Sequence, residues 1–340
     1  MNVMYLHPTC WYIIFCVPVT SLAVTRTEIR KRSYTIMGPE VPDNVDMTDS
    51  NAVFELAKRY HKNGEFELAM RYYLIAADLD HPTAFNNIGY MYSNGEGVEK
   101  SNSIALEWYE KSMEHGSAVG AYNLGLNYSS GNGVPYDFDK AIECFRIAAE
   151  KGYALAQYKM ARAYQHEVSV KKSYEEAIRW HRMAAEQGLI DSQKALGALL
   201  ESDIFVKKDS DEAFKWYMEA AKQGDADAQF SVAHMYSVGE GTEQSYVKAV
   251  EWFRKSADNG YSGAVFRLAC AYRDGTGVEQ SDSTALDLFL KAADLGHHRA
   301  WKELAHIYSE GIGVEPNEEE AAKWTERYKE WEEYNELYPI

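Results

Sequence analysis

The chain has 340 residues, of which 46% are hydrophobic, so its length allows either two ordinary domains or one extended repeat array. Its formal net charge is −17 and its pI is about 5.1. Nucleic acids and anionic membrane surfaces attract clustered Lys and Arg, so this charge argues against both as partners.

The first 36 residues differ from the rest of the chain. They hold one acid against four basic residues, and an uncharged run of 15 residues extends from Cys10 to Val24. A membrane span needs about 20 apolar residues, so we expect no stable span, and the run fits the core of a signal peptide better. No Lys or Arg precedes it, however, so a spurious or disordered extension before a true start at Met37 stays open. Residues 37–50 are predicted to be a linker.

Only two cysteines lie beyond this segment. Cys144 and Cys270 are 126 positions apart, which does not make a disulfide framework, and we expect both to be free thiols. This usage slightly favours a cytoplasmic location. A secretory location is the alternative if residues 1–23 are a signal peptide.

A Gly-x-Gly pair in "SNGEGVEK" could begin a phosphate-binding loop, but the pair recurs along the chain. The spacing is 36 residues or a multiple of it, and a second series of single glycines has the same period. The series are Gly95/Gly97, Gly131/Gly133, Gly239/Gly241, Gly275/Gly277 and Gly311/Gly313, and Gly116, Gly152, Gly188, Gly224, Gly260 and Gly296. Such a fixed period is typical of a solenoid, so the pairs are predicted to be turns.

Each period predicts two helices. The first carries apolar or small residues and a Tyr on one face, as in Ile88, Gly89 and Tyr92. The second begins after a residue that can cap it, and Glu176, Glu212 and Glu320 are placed to complete capping boxes. It then carries a recurrent Ala and, three residues later, a large residue, both predicted to be core. The predicted caps are Ser101, Asp137, Ser173, Asp209, Ser245, Ser281 and Asn317.

The unit at 51–80 is a variant. Its Tyr60-to-Ala69 spacing is nine residues, whereas the later units have thirteen, as from Tyr92 to Ala105. The shorter spacing is that of the tetratricopeptide repeat. At the other end of the chain, the charged segment 326–340 is predicted to extend the last helix as a cap.

The pattern A-x3-LG-x2-Y-x2-GxGV-x7-A-x2-WY-x2-AA-x2-G, in seven copies over residues 81–325, resembles the Sel-one-like repeat family, a relative of the tetratricopeptide repeats. The resemblance implies an all-α, right-handed α/α superhelix of about eight helix-turn-helix repeats. It also implies a non-enzymatic adaptor or scaffold for other proteins. The alternative is a secreted, hydrolase-like branch linked to penicillin binding, but its members have a disulfide in each repeat and this chain lacks those cysteine pairs.

Three residues in one register, His234, Cys270 and His306, resemble a metal-ligand set. Packed helices lie about 8–10 Å apart, so three short side chains from successive repeats cannot converge on one ion. We therefore predict no metal and no cofactor. We also find no nucleophile placed beside a base.

Two variable columns on the first helices are predicted to line a concave groove that binds a partner protein or peptide. Both mix aromatic rings with cations, which suits a partner segment with acidic and apolar residues. The first column is Asn86, Tyr122, Tyr158, Lys194, Phe230, Phe266 and Lys302, and the second is Tyr90, Leu126, Arg162, Ala198, His234, Cys270 and His306.

Two turns, "QHEVSVKK" at 165–172 and "ESDIFVKK" at 201–208, keep their length but lose both glycines. Because residues other than glycine disfavour positive φ, both turns are expected to follow another path. The segments Val168–Lys172 and Ile204–Lys208 are hypothesised to form a second contact site, with simple loop drift as the alternative.

Overall fold

The computed structural model describes residues 45–204 and 206–337. Those residues contain sixteen α-helices and no strands. The helices pair into eight helix-turn-helix repeats, from α1–α2 to α15–α16. The helices are α1 Ser50–Lys62, α2 Phe66–Asp78, α3 Pro82–Asn94, α4 Asn102–Glu114, α5 Ala118–Ser130, α6 Phe138–Glu150, α7 Ala154–His166, α8 Tyr174–Glu186, α9 Ile190–Glu201, α10 Ser210–Lys222, α11 Ala226–Val238, α12 Tyr246–Asp258, α13 Ser262–Asp274, α14 Asp282–Asp294, α15 His298–Glu310 and α16 Glu318–Leu337. The predicted all-α repeat fold is therefore confirmed. The signal-like segment 1–36 and most of the linker 37–50 lie outside the described residues.

The chain divides into two compact units, Met1–Ser117 and Ala118–Ile340. Unit 1 contains repeats 1 and 2, and unit 2 contains repeats 3 to 8. Within each unit the two helices of a repeat pack together, and the second helix packs against the first helix of the following repeat. The core is therefore a row of contacts between neighbours, as expected of a repeat array.

The recurrent alanine of the second helices is buried in six of the seven predicted repeats, from Ala105 to Ala285. Ala321 is an exception and is only half-buried. The large residue three positions later is buried at Cys144, Trp180 and Trp324. The prediction of a core position is wrong in part for the others, which are half-buried: Trp108, Trp216, Trp252 and Leu288.

A small residue on each first helix lets the paired second helix approach closely. A Cβ added to Gly89 would lie 2.7 Å from Cε1 of Tyr109, which is closer than van der Waals contact allows. Gly125 has the same relation to Phe145. In repeat 4 this pair is Ala161 and a buried histidine, His181.

Backbone and side-chain bonds fix where each second helix begins. Each predicted cap residue accepts a hydrogen bond from the third residue of its helix, as Ser173 does from the amide of Glu176. The amide of the cap residue donates to a carbonyl at the end of the preceding first helix, such as Ser173 to Tyr164 at 3.1 Å. The same bond recurs in every repeat from Ser101 to Asn317 and sets the register between the two helices.

The predicted capping boxes form only by half. The backbone amide of each cap residue already donates to a first-helix carbonyl, so it is not available to donate to the glutamate carboxylate. Glu176 instead bonds Arg179, Glu212 bonds Arg182 of the preceding repeat, and Glu320 bonds Lys323. These carboxylates therefore contribute charge pairing rather than a reciprocal cap.

The two turns without glycine behave differently from each other. In 165–172, Glu167 and Ser169 adopt φ of 58° and 53°, the left-handed conformation that glycines have elsewhere, so the expectation of another path is wrong for this turn. In 201–208, α9 ends in an extended residue, Ser202, and no described residue has positive φ. Asp203 accepts from the amide of Lys208 at 3.1 Å, so a side-chain bond supports a different path.

Candidate protein-interaction surface

Most of the first predicted column packs against the next repeat. Three of the four aromatic residues of this column in unit 2 face a ring 31 residues later, at the residue that caps the next first helix, whereas the residue in that place after Tyr158 is Leu189. The ring centroids are 5.0 Å apart for Tyr122 and Tyr153, 5.0 Å for Phe230 and Tyr261, and 4.4 Å for Phe266 and His297. These rings therefore stabilise the contact between repeats, and none of them is fully exposed to a partner.

The exposure of the side chains varies along the first column. Asn86 in unit 1 is buried, and so is Phe266 in unit 2, so neither is accessible as an anchor. Tyr158 is half-buried, whereas Lys302 is exposed and lies over the Tyr328 ring at 5.9 Å. The prediction that this whole column lines an accessible surface is thus too broad, because residue variability does not separate exposure from contact between repeats.

The second column is the more accessible one. Tyr90 is 46% exposed in unit 1. In unit 2, Arg162, Ala198 and His306 are exposed, whereas Leu126, His234 and Cys270 are half-buried. The structure places these residues on first helices at equivalent positions, four residues after the first column. They are the stronger candidates for contact with a partner.

Helix α7 has the most suitable surface in unit 2. Leu155 is 39% exposed, Tyr158 and Lys159 are half-buried, and Arg162 and His166 are exposed. Their spacing of three or four residues places them on one side of the helix. Arg162 donates from Nη1 to the Tyr158 hydroxyl at 3.2 Å, with its guanidinium 6.0 Å from the ring centre. Among the described residues, neither Lys159 nor Arg162 forms an ion pair. Sequence reasoning missed Leu155 and Lys159, although both lie in the period of the two columns.

Helix α9, in the next repeat, contrasts with α7. Lys194 lies 3.0 Å from a carboxylate oxygen of Asp225 and 2.9 Å from one of Asp227. Burial lowers the pKa of Lys194, but its bonds to these two aspartates outweigh that effect and raise it overall. Its charge is thus balanced by the following repeat, and Lys194 is a weaker candidate for binding an acidic segment.

A buried polar group lies directly beneath the α7 surface. His181 is fully buried, with its ring nitrogens 3.3 Å from the Ser192 hydroxyl and 3.2 Å from the Gln165 side-chain oxygen. Burial and, to a lesser extent, the charge of Arg162 lower its pKa to about 4. His181 is therefore neutral at neutral pH and supports Tyr158, whose ring centre is 5.8 Å away.

The column of His234, Cys270 and His306 does not form a cluster. No group of three metal-ligating side chains is found within residues 45–204 and 206–337. Burial raises the pKa of Cys270 to about 11, so this thiol is protonated. Neither Cys144 nor Cys270 forms a disulfide within the described residues. Within the part of the chain that the structure describes, no helix has the length and apolar character needed to cross a bilayer.

Unit 1 contains an open pocket of about 660 Å³. Its lining includes the buried rings of Phe54 and Tyr73, basic residues of α1, and two polar residues of α3, Thr83 and Asn87. The full lining is Phe54, Glu55, Lys58, Arg59, His61, Lys62, Tyr73, Thr83 and Asn87. The sequence signal was the basic run "KRYHK" in an acidic chain, which the column register did not select.

The repeated helix pairs, their nearest-neighbour packing and the exposed first-helix side chains define an α/α solenoid with an interaction surface. The family model described as "Sel1 repeat" matches eight segments, so the chain belongs to the Sel1 repeat family. Proteins of this family generally bind other proteins as non-enzymatic scaffolds. The matched segments are 50–81, 84–117, 118–153, 154–189, 190–225, 226–261, 262–297 and 303–327.

Two solved structures support the same assignment. The c5321 protein of uropathogenic Escherichia coli, a protective antigen with an SLR fold, is 31% identical with a TM-score of 0.78, over 91% of this chain and 64% of its own. A Sel1 repeat protein from Oxalobacter formigenes is 32% identical with a TM-score of 0.57, over 71% of this chain and 96% of its own. This chain thus spans slightly less than two thirds of the antigen. No curated protein sequence matches this chain.

Proposed function

We propose that this protein is a non-enzymatic scaffold that binds a segment of a partner protein along the first helices of unit 2, with α7 as the principal contact. The observation that carries this proposal is the side of α7 on which Tyr158, Lys159 and Arg162 lie together with an exposed leucine. Aromatic rings and arginine are the residues that most often dominate protein interfaces.

The chemistry of this surface favours a partner segment with acidic and apolar residues. Lys159 and Arg162 have no ion pair in the described residues, and the bond from Arg162 to Tyr158 holds the guanidinium in place before binding. A side chain that is already ordered loses less conformational entropy on binding. Complementary charge supports both the rate and the specificity of association. A helical or extended segment could lie along such a face.

Leu126 of α5 and His234 of α11 would extend this surface to either side, together with the half-buried rings of Tyr122 and Phe230. Tyr90 in unit 1 and His306 in the last repeat are accessible positions of the same register. Nothing in the described residues favours the secreted, hydrolase-like alternative, since Cys144 and Cys270 form no disulfide there.

The test begins with cross-linking and mass spectrometry, which identifies the partner segment in contact with α7. The affinity of the corresponding synthetic peptide is then measured for the wild-type protein, Tyr158→Ala and Arg162→Ala. Loss of an anchor residue typically costs about 2 kcal/mol, so we expect roughly thirtyfold weaker binding.

The matched controls are Tyr136→Ala and Arg146→Ala, two exposed residues of unit 2 that lie away from the first helices. They should leave the affinity unchanged. Equal affinity of all four variants and the wild type would contradict the proposal, because the working surface would then lie elsewhere.

A further inference from the structure

The pocket of unit 1 has an excess of positive charge. Lys58 is paired with Glu55 at 2.8 Å, and His61 lies 2.6 Å from Glu96. Arg59 and Lys62 are exposed and form no ion pair with any described residue. On a chain with a net charge of −17, two unbalanced cations beside an open pocket are a specific feature rather than an average surface.

The last helix presents the opposite chemistry. Helix α16 has 20 residues, whereas the other complete helices have 12 or 13. One side of its final turns packs on the last repeat, since the Trp331 ring lies 3.9 Å from His298. The other side presents Glu330 and Glu333 together with Tyr334 and Leu337, which are 60% and 74% exposed.

We propose that this outer face of α16 in one copy of the chain docks into the α1 pocket of a second copy. The carboxylates of Glu330 and Glu333 would meet Arg59 and Lys62, and the exposed apolar side chains would lie against the mouth of the pocket. Residues three, four and seven positions apart form one face, which is the arrangement that a helix uses to enter a groove.

The charge pattern of the chain argues for this occupant over the N-terminal segment of the same molecule. The N-terminal 36 residues carry four basic residues and one acid, so they have the same sign of charge as the pocket. Contact between two different surfaces is heterologous, so it permits open chains of copies as well as rings. This surface is separate from α7, and the proposal stands or falls independently of the scaffold function.

The experiment is sedimentation velocity on the full chain over a range of concentrations and salt. The average sedimentation coefficient of the wild type should rise with protein concentration, as copies associate. It should fall from low to high salt, because exposed charges are screened within about 10 Å at 0.1 M salt. Arg59→Glu/Lys62→Glu reverses the charge at the pocket, and Glu330→Lys/Glu333→Lys reverses the charge on the outer face of α16. Each variant alone should associate at least tenfold more weakly.

Mixing the two variants provides the decisive measurement. The intact helix of the pocket variant can enter the intact pocket of the helix variant, so the mixture should associate as the wild type does. Arg146→Glu/Lys215→Glu, which makes the same charge change at exposed positions of unit 2, should associate normally. A wild type that stays monomeric at low salt, a mixture that does not associate, or an equal loss in the control would each overturn the proposal.

Discussion

Repeats 4 and 5, α7–α8 and α9–α10, are neighbours in unit 2 and share the loss of both turn glycines, yet they respond to it differently. Repeat 4 keeps the turn path and places Glu167 and Ser169 in the left-handed conformation. Repeat 5 adopts another path, in which Asp203 accepts from the amide of Lys208. In both, the cap amide still donates to the end of the first helix. The register between helices therefore depends on that bond more than on the turn.

The same two repeats also differ in a buried core residue and in the charge pairing at their surface. Repeat 4 has a neutral histidine, His181, where repeat 5 has Tyr217, whose hydroxyl lies 3.1 Å from Glu201. Repeat 4 leaves Arg162 without an ion pair in the described residues, whereas repeat 5 pairs Lys194 with the next repeat. Repeat 4 thus has locally unfavourable features in its turn, in its core and on the proposed binding surface, a pattern often associated with function.

The largest expected effect is the pH dependence that His181 gives to the stability of repeat 4. The His181 pKa is about 4 in the folded protein and about 6.5 when unfolded, so the unfolded state binds more protons between these values. Stability is therefore lost as the pH falls from 6.5 to 4, by about 3 kcal/mol for this group. His181→Phe/Ser192→Ala, which copies Phe253 and Ala264, should lose less stability over that range.

The measurement is denaturant unfolding or hydrogen exchange of repeat 4 at both pH values. The difference between wild type and variant removes the contribution of carboxylates that both proteins share. A pH-independent difference would show that His181 does not resist protonation.

The second effect tests close packing in repeat 5. A Cβ at Gly197 would lie 2.8 Å from the Tyr217 ring, so Gly197→Ala should destabilise by about 1–3 kcal/mol. In a helix without this contact, the same change stabilises by roughly 0.4–1 kcal/mol. In a Tyr217→Ala background the sign should therefore reverse, and thermal unfolding of the four proteins measures the coupling. Additive effects would refute the steric explanation.

The third effect separates the two turns. Glu167→Gly should stabilise by up to about 1 kcal/mol, because it relieves a left-handed residue while it raises the entropy of the unfolded chain. Asp203→Gly should destabilise by about 1 kcal/mol, since the amide of Lys208 loses its acceptor. Denaturant midpoints of both variants provide the comparison. Changes of the same sign would mean that the two turns do not differ as described.

The smallest effect concerns surface charge. Lys194→Met should destabilise by about 0.5 kcal/mol at low salt, because partly exposed ion pairs contribute little, and the effect should shrink in high salt. Arg162→Met should leave stability nearly unchanged, as Arg162 forms no ion pair within the described residues. Unfolding curves at two salt concentrations check both. A larger salt-sensitive loss at Arg162 would indicate an unrecognised structural partner.

The candidate surface could be predicted only in part. The register placed Arg162 and Tyr90 on accessible positions, because side chains four residues apart share a helix face. It did not reveal that Tyr122 and Phe230 stack on rings of the following repeat, since that contact depends on the offset between repeats. The α1 pocket was missed for a related reason: its basic run is visible in the sequence, but its other side comes from Thr83 and Asn87 on α3.

The sequence by itself determined the period, the helix pairs and the residues that cap the second helices. These features depend on local chemistry: apolar periodicity, a cap side chain such as Ser173 within reach of its own helix, and glycine at positive φ. Tertiary structure alone decided which groups lost their water and which found a partner. It buried His181 and lowered its pKa, bonded Lys194 to two aspartates and left Arg162 exposed. Desolvation and charge pairing depend on neighbours that lie between 11 and 33 residues away in the chain.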